Sequence, residues 1–136
     1  MRSPLLAITA AMAAAPMALA QVPNPIDCNR AATTVELNYC AEKDFDRADQ
    51  ALNATYQRVI AAIAKSDGDA PYDPKSWEAA LRQSQRAWVA FREAECKGLV
   101  PMEWGGGTGT TQAVLTCMTE LTRTRAKDLN ERYLNR

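Results

Sequence analysis

Residues 81–96 read LRQSQRAWVAFREAEC, and this stretch decides the fold. It contains no Gly or Pro, so nothing in it opposes an α-helix. One stripe at steps of three and four is largely apolar, and we predict that it is buried in the core; it comprises Trp77, Leu81, Ser84, Trp88, Phe91 and Glu95. A second, mostly polar stripe runs beside it, through Gln85, Trp88, Arg92 and Cys96. We expect the polar stripe to lie where this helix meets another helix.

A long helix is predicted before this stretch. Thr33 and Glu36 form a capping box, the pattern in which two side chains satisfy the free N–H groups at a helix start. Apolar residues then keep helical spacing from Leu37 to Ile63, until a Gly- and Pro-containing turn at 66–71 ends the helix.

The helix that contains residues 81–96, here called the central helix, is followed by a third helix. Ser76 is expected to cap the central helix, which is expected to end near Lys97-Gly98. The segment EWGGGTGTT at 103–111 is expected to be a flexible loop, and the third helix to begin near Thr111. The inward face of that third helix is predicted to hold Leu115, Met118, Thr122, Arg125 and Leu129.

These elements predict an all-α fold, an antiparallel three-helix bundle, because the connecting loops are short and no run alternates as a strand would. Across the first hairpin, facing positions should sum to about 141. This register places Asp49 opposite Arg92, and we predict an ion pair between them. The whole predicted seam between the two helices consists of Asp49, Asn53, Tyr56, Gln85, Trp88 and Arg92.

The N-terminus has the features of an export signal. Arg2 precedes an apolar, alanine-rich run at 4–15 that is too short to span a bilayer comfortably. Ala18-Leu19-Ala20 fits the small-x-small cleavage pattern, so we predict a signal peptide at 1–20 and a helical domain at 21–136. No cysteine follows the cut directly. We therefore expect a secreted protein, periplasmic or extracellular, with no membrane attachment after cleavage.

The sequence contains four cysteines: Cys28, Cys40, Cys96 and Cys117. In an oxidising compartment an even number indicates disulfide bonds, and four cysteines allow three pairings. The bundle gathers all four at one end, so location alone does not choose between the pairings. We prefer Cys28–Cys40 with Cys96–Cys117, because each bond closes a short local loop.

Composition and motifs favour a protein that is not an enzyme. There is no histidine, which removes the commonest general base and metal ligand. Lys+Arg and Asp+Glu both number 16, so no basic field indicates nucleic-acid binding. Asp67-Gly68-Asp69 is too short a match to a calcium loop, and the glycines at 105–109 lack the lysine of a phosphate-binding loop. We therefore predict no catalytic residue, no metal and no cofactor.

The order of motifs resembles the LprI-like lysozyme inhibitor family of exported bacterial domains. The resemblance covers about residues 27–134. Its most specific residues are Cys40-Ala41, Ala48-Asp49, Leu52-Asn53, Tyr56, Gln85-Arg86-Ala87-Trp88, Phe91-Arg92, Cys96, Thr122 and Arg125. The resemblance implies a small, disulfide-linked helical domain and, for the namesake of the family, inhibition of lysozyme. It supplies no catalytic residues, because the matching residues belong to the predicted core, seam and disulfides.

Two classes of function follow from this resemblance. The first is an inhibitor that binds lysozyme or another secreted enzyme and so protects the cell wall. The second is a structural or accessory envelope domain without an enzyme target. For an inhibitor, the expected partner-facing segment consists of Glu103, Trp104, Gly105, Gly106 and Gly107, because it combines an acidic group, a large aromatic and a flexible backbone. The alternative is that Trp104 folds back onto the bundle. The sequence does not indicate an oligomeric state.

Overall fold

The computed structural model describes residues 26–135, and the predicted signal peptide at 1–20 lies outside them. The helices are α1 (Thr34–Ile63), α2 (Pro74–Glu93), a π-helical segment (Ala94–Leu99), α3 (Val100–Glu103) and α4 (Thr110–Tyr133). The described part of the chain contains no strand, which confirms the all-α prediction. None of its helices is long and apolar enough to cross a membrane.

The start of α1 has the predicted capping box. The backbone N–H of Glu36 donates to Thr33 Oγ1, and the N–H groups of Ala32 and Thr33 both donate to Glu36 Oε2 at 3.0 Å. These bonds favour the ionised carboxylate. Those from the Thr33 and then the Ala32 backbone are the main reason that the pKa of Glu36 is lowered.

The start of α2 differs from the prediction, because Asp73 caps the helix and Ser76 does not. The Asp73 carboxylate accepts the backbone N–H and the hydroxyl of Ser76, each at 3.0 Å. Pro74 follows in the first turn, where its missing N–H costs no helical hydrogen bond. Ser76 is therefore the donor in this cap, since a carboxylate is the stronger acceptor.

The predicted end of α2 near Lys97-Gly98 is also wrong. The chain stays helical through these residues as the π-helical segment and continues into α3. Pro101 does not stop it, because it lies in the first turn of α3. The non-helical part of this connection is residues 104–109, which is shorter than the predicted loop at 103–111.

Three long helices form the bundle. The starts of α1 and α4 lie at the same end of the bundle, because Leu37 and Gln112 line one pocket. The two helices are therefore parallel, and α2 is antiparallel to both. Helices α1 and α4 pack most extensively against each other, and α2 makes fewer contacts with either. The apolar core consists of Leu52, Val59, Ile63, Leu81 and Leu129.

The predicted core face of α2 is confirmed in its first half, where Leu81 lies in the core and Trp77 and Trp88 pack against it, but it is wrong at Phe91, where the polar stripe turns inward instead. Leu81, Arg92 and Cys96 are buried, whereas Phe91 is 51% exposed. The rotation of α2 follows from Arg92, which reaches hydrogen-bond acceptors on both other long helices, and from Cys96, which is bonded to Cys117. Phe91 is one residue from Arg92, about 100° around the helix, and therefore turns toward solvent.

Candidate functional site

Both predicted disulfides are present at one end of the bundle. Cys28 is bonded to Cys40 and Cys96 to Cys117, with Cα–Cα distances of 5.6 Å in each pair. The first bond ties the entry segment to the second turn of α1. The second bond ties the π-helical segment to α4, so it closes the part of the chain that contains α3 and the following turn.

The predicted partner-facing segment, 103–107, lies inside the part of the chain that this second bond closes. Glu103 is the last residue of α3, and Trp104 begins a series of turns. Gly105 and Gly106 have φ of +58° and +70°, a left-handed conformation that glycine adopts without a steric penalty. We call residues 103–107 the tip segment.

The tip segment folds back against the start of α4 and is not a freely projecting loop. A Cβ atom built on Gly109 would lie 2.7 Å from Cζ3 of Trp104, so the indole ring occupies the space that a side chain at 109 would need. Trp104 nevertheless remains 54% exposed. The ring is thus held in place on one side and open to solvent on the other.

A pocket lies beside this ring, which we call the tip groove. Val100, Glu103 and Trp104 line it from the α3 side, and Gln112, Thr116 and Glu120 line it from α4. Among the residues that the structure describes, no lysine or arginine lines it. Sequence reasoning identified Glu103 and Trp104 but missed Glu120. The available signal was its spacing, because Glu120 lies one turn after Cys117 and the disulfide sets which way that turn faces.

The seam between α1 and α2 contains the predicted ion pair. Arg92 Nη1 donates to Asp49 Oδ1 at 3.1 Å, and Asn53 Nδ2 donates to the other oxygen of Asp49 at 3.0 Å. Arg92 Nη1 also donates to Thr122 Oγ1 on α4 at 2.8 Å. The guanidinium carbon of Arg92 lies 5.2 Å from the ring centroids of both Phe45 and Trp88. A cation between two aromatic rings, paired with a carboxylate, therefore joins the three long helices.

Arg125 extends the seam on α4. Its Nε donates to Gln85 Oε1 at 3.0 Å, and its guanidinium carbon lies 5.8 Å from the Trp88 ring centroid. Burial lowers the pKa of Arg125 from its usual value. Tyr56, expected opposite Gln85, packs against the apolar core. Thr122 and Arg125 were predicted on the inward face of the third helix but were not assigned to the seam.

The chemistry of these two regions differs. In the seam Arg92 is buried and Asp49 is partly exposed, and these charged groups bind each other. The tip groove presents carboxylates, an indole and amide or hydroxyl groups to solvent. Among residues 26–135, no three His, Cys, Asp or Glu side chains lie close enough to hold a metal ion. The exposed groups are suited to non-covalent recognition.

Comparisons with known proteins match most of the described chain. The family model described as "Lysozyme inhibitor LprI" matches residues 28–129, a range that includes the four cysteines, the seam and the tip groove. An uncharacterized protein of Rhizobium meliloti (strain 1021) is 39% identical over 115 residues, which cover 82% of this chain and 81% of that protein. No solved structure matches the chain.

Proposed function

The chain belongs to the LprI lysozyme inhibitor family, and on that premise we propose that it is an exported bacterial protein that binds lysozyme and inhibits it. The family match is the observation that carries this proposal. Inhibition would protect the cell wall, on the periplasmic or the outer side. The protein would act by occupying or covering the enzyme's cleft, with no catalytic step of its own.

The tip segment is the surface that best suits this role. Lysozymes are usually basic proteins with a cleft that holds two carboxyl groups. Glu103 offers a negative charge to such a partner, and Trp104 offers a large exposed aromatic, a residue type enriched where binding energy concentrates. Gly105, Gly106 and Gly107 have no side chains, so a partner's backbone can approach them closely.

The position of the tip segment also favours binding. The Cys96–Cys117 bond closes the chain around it, and Trp104 already rests on Gly109. A segment that is ordered before binding loses less conformational entropy when the complex forms. We therefore place the lysozyme-binding surface at the disulfide-bonded end of the bundle.

The direct test is a lysis assay. Purified protein with both disulfides intact is mixed with a basic lysozyme, and the clearing of a bacterial cell suspension is followed by turbidity. A dose-dependent slowing of lysis supports the proposal. Lysis at the uninhibited rate, with protein in large molar excess, would instead favour an accessory envelope domain without this target.

A further inference from the structure

We infer that the tip groove binds a cationic side chain, an arginine or lysine projecting from the partner protein. This inference rests on the proposed function for the identity of the partner, which is a basic enzyme. It goes beyond that function by assigning the groove, and Glu120 within it, as the place where the partner's cation is held.

The charges lining the groove support a cationic occupant. Glu103, at the end of α3, and Glu120, on α4, contribute carboxylates from two different elements. Among residues 26–135, no ion pair within the chain uses either carboxylate. In the adjoining pocket, which shares Glu120, Asp44 is paired with Arg47, and Arg123 is the one cation among the described lining residues. The two carboxylates of the groove therefore outnumber the one nearby cation, and a positive group is the complementary ligand.

The indole of Trp104 supplies the second element of a cation site. Trp is the best of the aromatic side chains for binding a cation over its face. The chain itself already uses this combination in the seam, where Arg92 lies beside Trp88 and pairs with Asp49. The tip groove has the same two components, an indole and carboxylates, but no arginine or lysine within the described range 26–135 lines it.

Gly109 keeps the indole in position. Because a Cβ at 109 would lie 2.7 Å from Cζ3 of Trp104, a side chain at 109 would displace the ring from its present position against the start of α4. The substitution Gly109→Ala should shift the ring while leaving both carboxylates in the groove. This variant therefore separates the contribution of the ring position from that of the charges.

Two titrations test the inference. In the first, an acetylated and amidated Gly-Arg-Gly peptide is added to the protein, and the indole N–H signal of Trp104 is followed by NMR, with the isosteric Gly-citrulline-Gly peptide as the neutral control. In the second, the affinity for lysozyme is measured calorimetrically. Both titrations are run on the parent protein, on the double variant Glu103→Gln, Glu120→Gln, and on the single variant Gly109→Ala. The matched control is Asp67→Asn with Asp69→Asn, which removes the same charge from the turn at the other end of the bundle.

The expected result is that the arginine peptide shifts the Trp104 signal and the citrulline peptide does not. The groove double variant should bind lysozyme roughly tenfold more weakly, as expected for two exposed charge interactions, and the control variant as tightly as the parent. Gly109→Ala should weaken binding of the arginine peptide and binding of lysozyme. If the peptides act alike, or if the double variant binds lysozyme as the parent does, the groove is not a cation site. If the arginine peptide binds selectively but lysozyme does not bind at all, the proposed function fails and the groove assignment stands.

Discussion

Arg92 on α2 donates a hydrogen bond from Nη1 to Thr122 Oγ1 on α4 at 2.8 Å, and Thr122 is 0% exposed. The same nitrogen donates to Asp49 on α1 at 3.1 Å. One buried cation thus depends on a neutral acceptor from one helix and a carboxylate from another. Removing either acceptor leaves donor capacity of Arg92 unsatisfied in the interior, which costs more than the loss of an ordinary surface contact.

The first prediction concerns Thr122→Val, which keeps the shape of the side chain and removes the hydroxyl. We expect the free energy of unfolding to fall by about 2 kcal/mol, the typical contribution of a hydrogen bond to a charged group. Chemical denaturation followed by circular dichroism measures this change. The matched control is Thr119→Val, one turn earlier, whose hydroxyl donates to the Leu115 carbonyl of the same helix. An equal fall in the free energy of unfolding of the two variants would show that the hydrogen bond from Arg92 to Thr122 adds no extra stability.

Much of the seam could be predicted from the sequence, because hairpin geometry relates two helices joined by a short turn. That register placed Asp49 opposite Arg92, and the pair is confirmed. The role of Thr122 could not be found in the same way. The alignment of α4 with α1 and α2 depends on the path through the π-helical segment and α3. A π-helical turn holds more residues than an α-helical turn, so it shifts the angular position of every later residue around the helix axis.

The error at Phe91 has a physical cause. A hydrophobicity pattern favours burying Phe91 over Arg92, but it does not include the acceptors that a buried guanidinium finds on other helices. Those acceptors come from α1 and α4, so the rotation of α2 is a property of the assembled bundle. The lack of helical periodicity located the turns at 104–109, although Glu103 and Thr110 belong to helices. The contact of Trp104 with Gly109 required the structure, because it depends on how the turns fold back.

A second prediction concerns acid stability through the two capping carboxylates. The pKa of Glu36 is lowered from its ordinary 4.5 by backbone hydrogen bonds from Thr33 and then Ala32, and that of Asp73 from 3.8 by the backbone N–H of Ser76. A carboxyl group with a lower pKa in the folded state contributes stability above its unfolded pKa, and this contribution is lost as the pH falls through the folded pKa. We therefore expect these caps to be fully effective at neutral pH and to weaken below about pH 4.5.

Asp73→Asn tests this prediction, because asparagine is also a good helix cap but does not titrate. Thermal unfolding followed by circular dichroism should show similar melting temperatures for the variant and the parent at neutral pH. On acidification the melting temperature of the parent should fall by more than that of the variant. Two melting curves that fall in parallel from neutral to acid pH would mean that the ionised Asp73 carboxylate contributes no special stability.

A third prediction separates the two disulfides. Each closes a short loop, with sequence separations of 12 and 21 residues, and each should stabilise the fold by roughly 3 kcal/mol in the chain-entropy model. Cys96→Ala with Cys117→Ala should abolish most lysozyme inhibition while the far-ultraviolet spectrum stays helical, because only this bond closes the chain around the tip segment. Cys28→Ala with Cys40→Ala should lose stability but less inhibition. Equal inhibition by both variants would show that the Cys96–Cys117 bond has no particular role in binding lysozyme.

The central claim is that the disulfide-bonded end of the bundle binds lysozyme through Glu103 and Trp104. The matched control lies in the turn at the other end, where Asp69 supplies an acidic residue and Tyr72 an aromatic that is 82% exposed. The control variant is Asp69→Ala with Tyr72→Ala, and the test variant is Glu103→Ala with Trp104→Ala. Circular dichroism and thermal melting establish first that both variants keep the fold of the parent.

The most direct measurement is the concentration of each protein that halves the rate of lysozyme-driven lysis. We expect the Glu103→Ala, Trp104→Ala variant to require at least about tenfold more protein than the parent, since truncating a binding hot spot typically costs more than 1–2 kcal/mol. The Asp69→Ala, Tyr72→Ala variant should match the parent. If the test variant inhibits as well as the parent, or if the control variant loses inhibition instead, the binding surface is not the tip segment and lies elsewhere on the bundle.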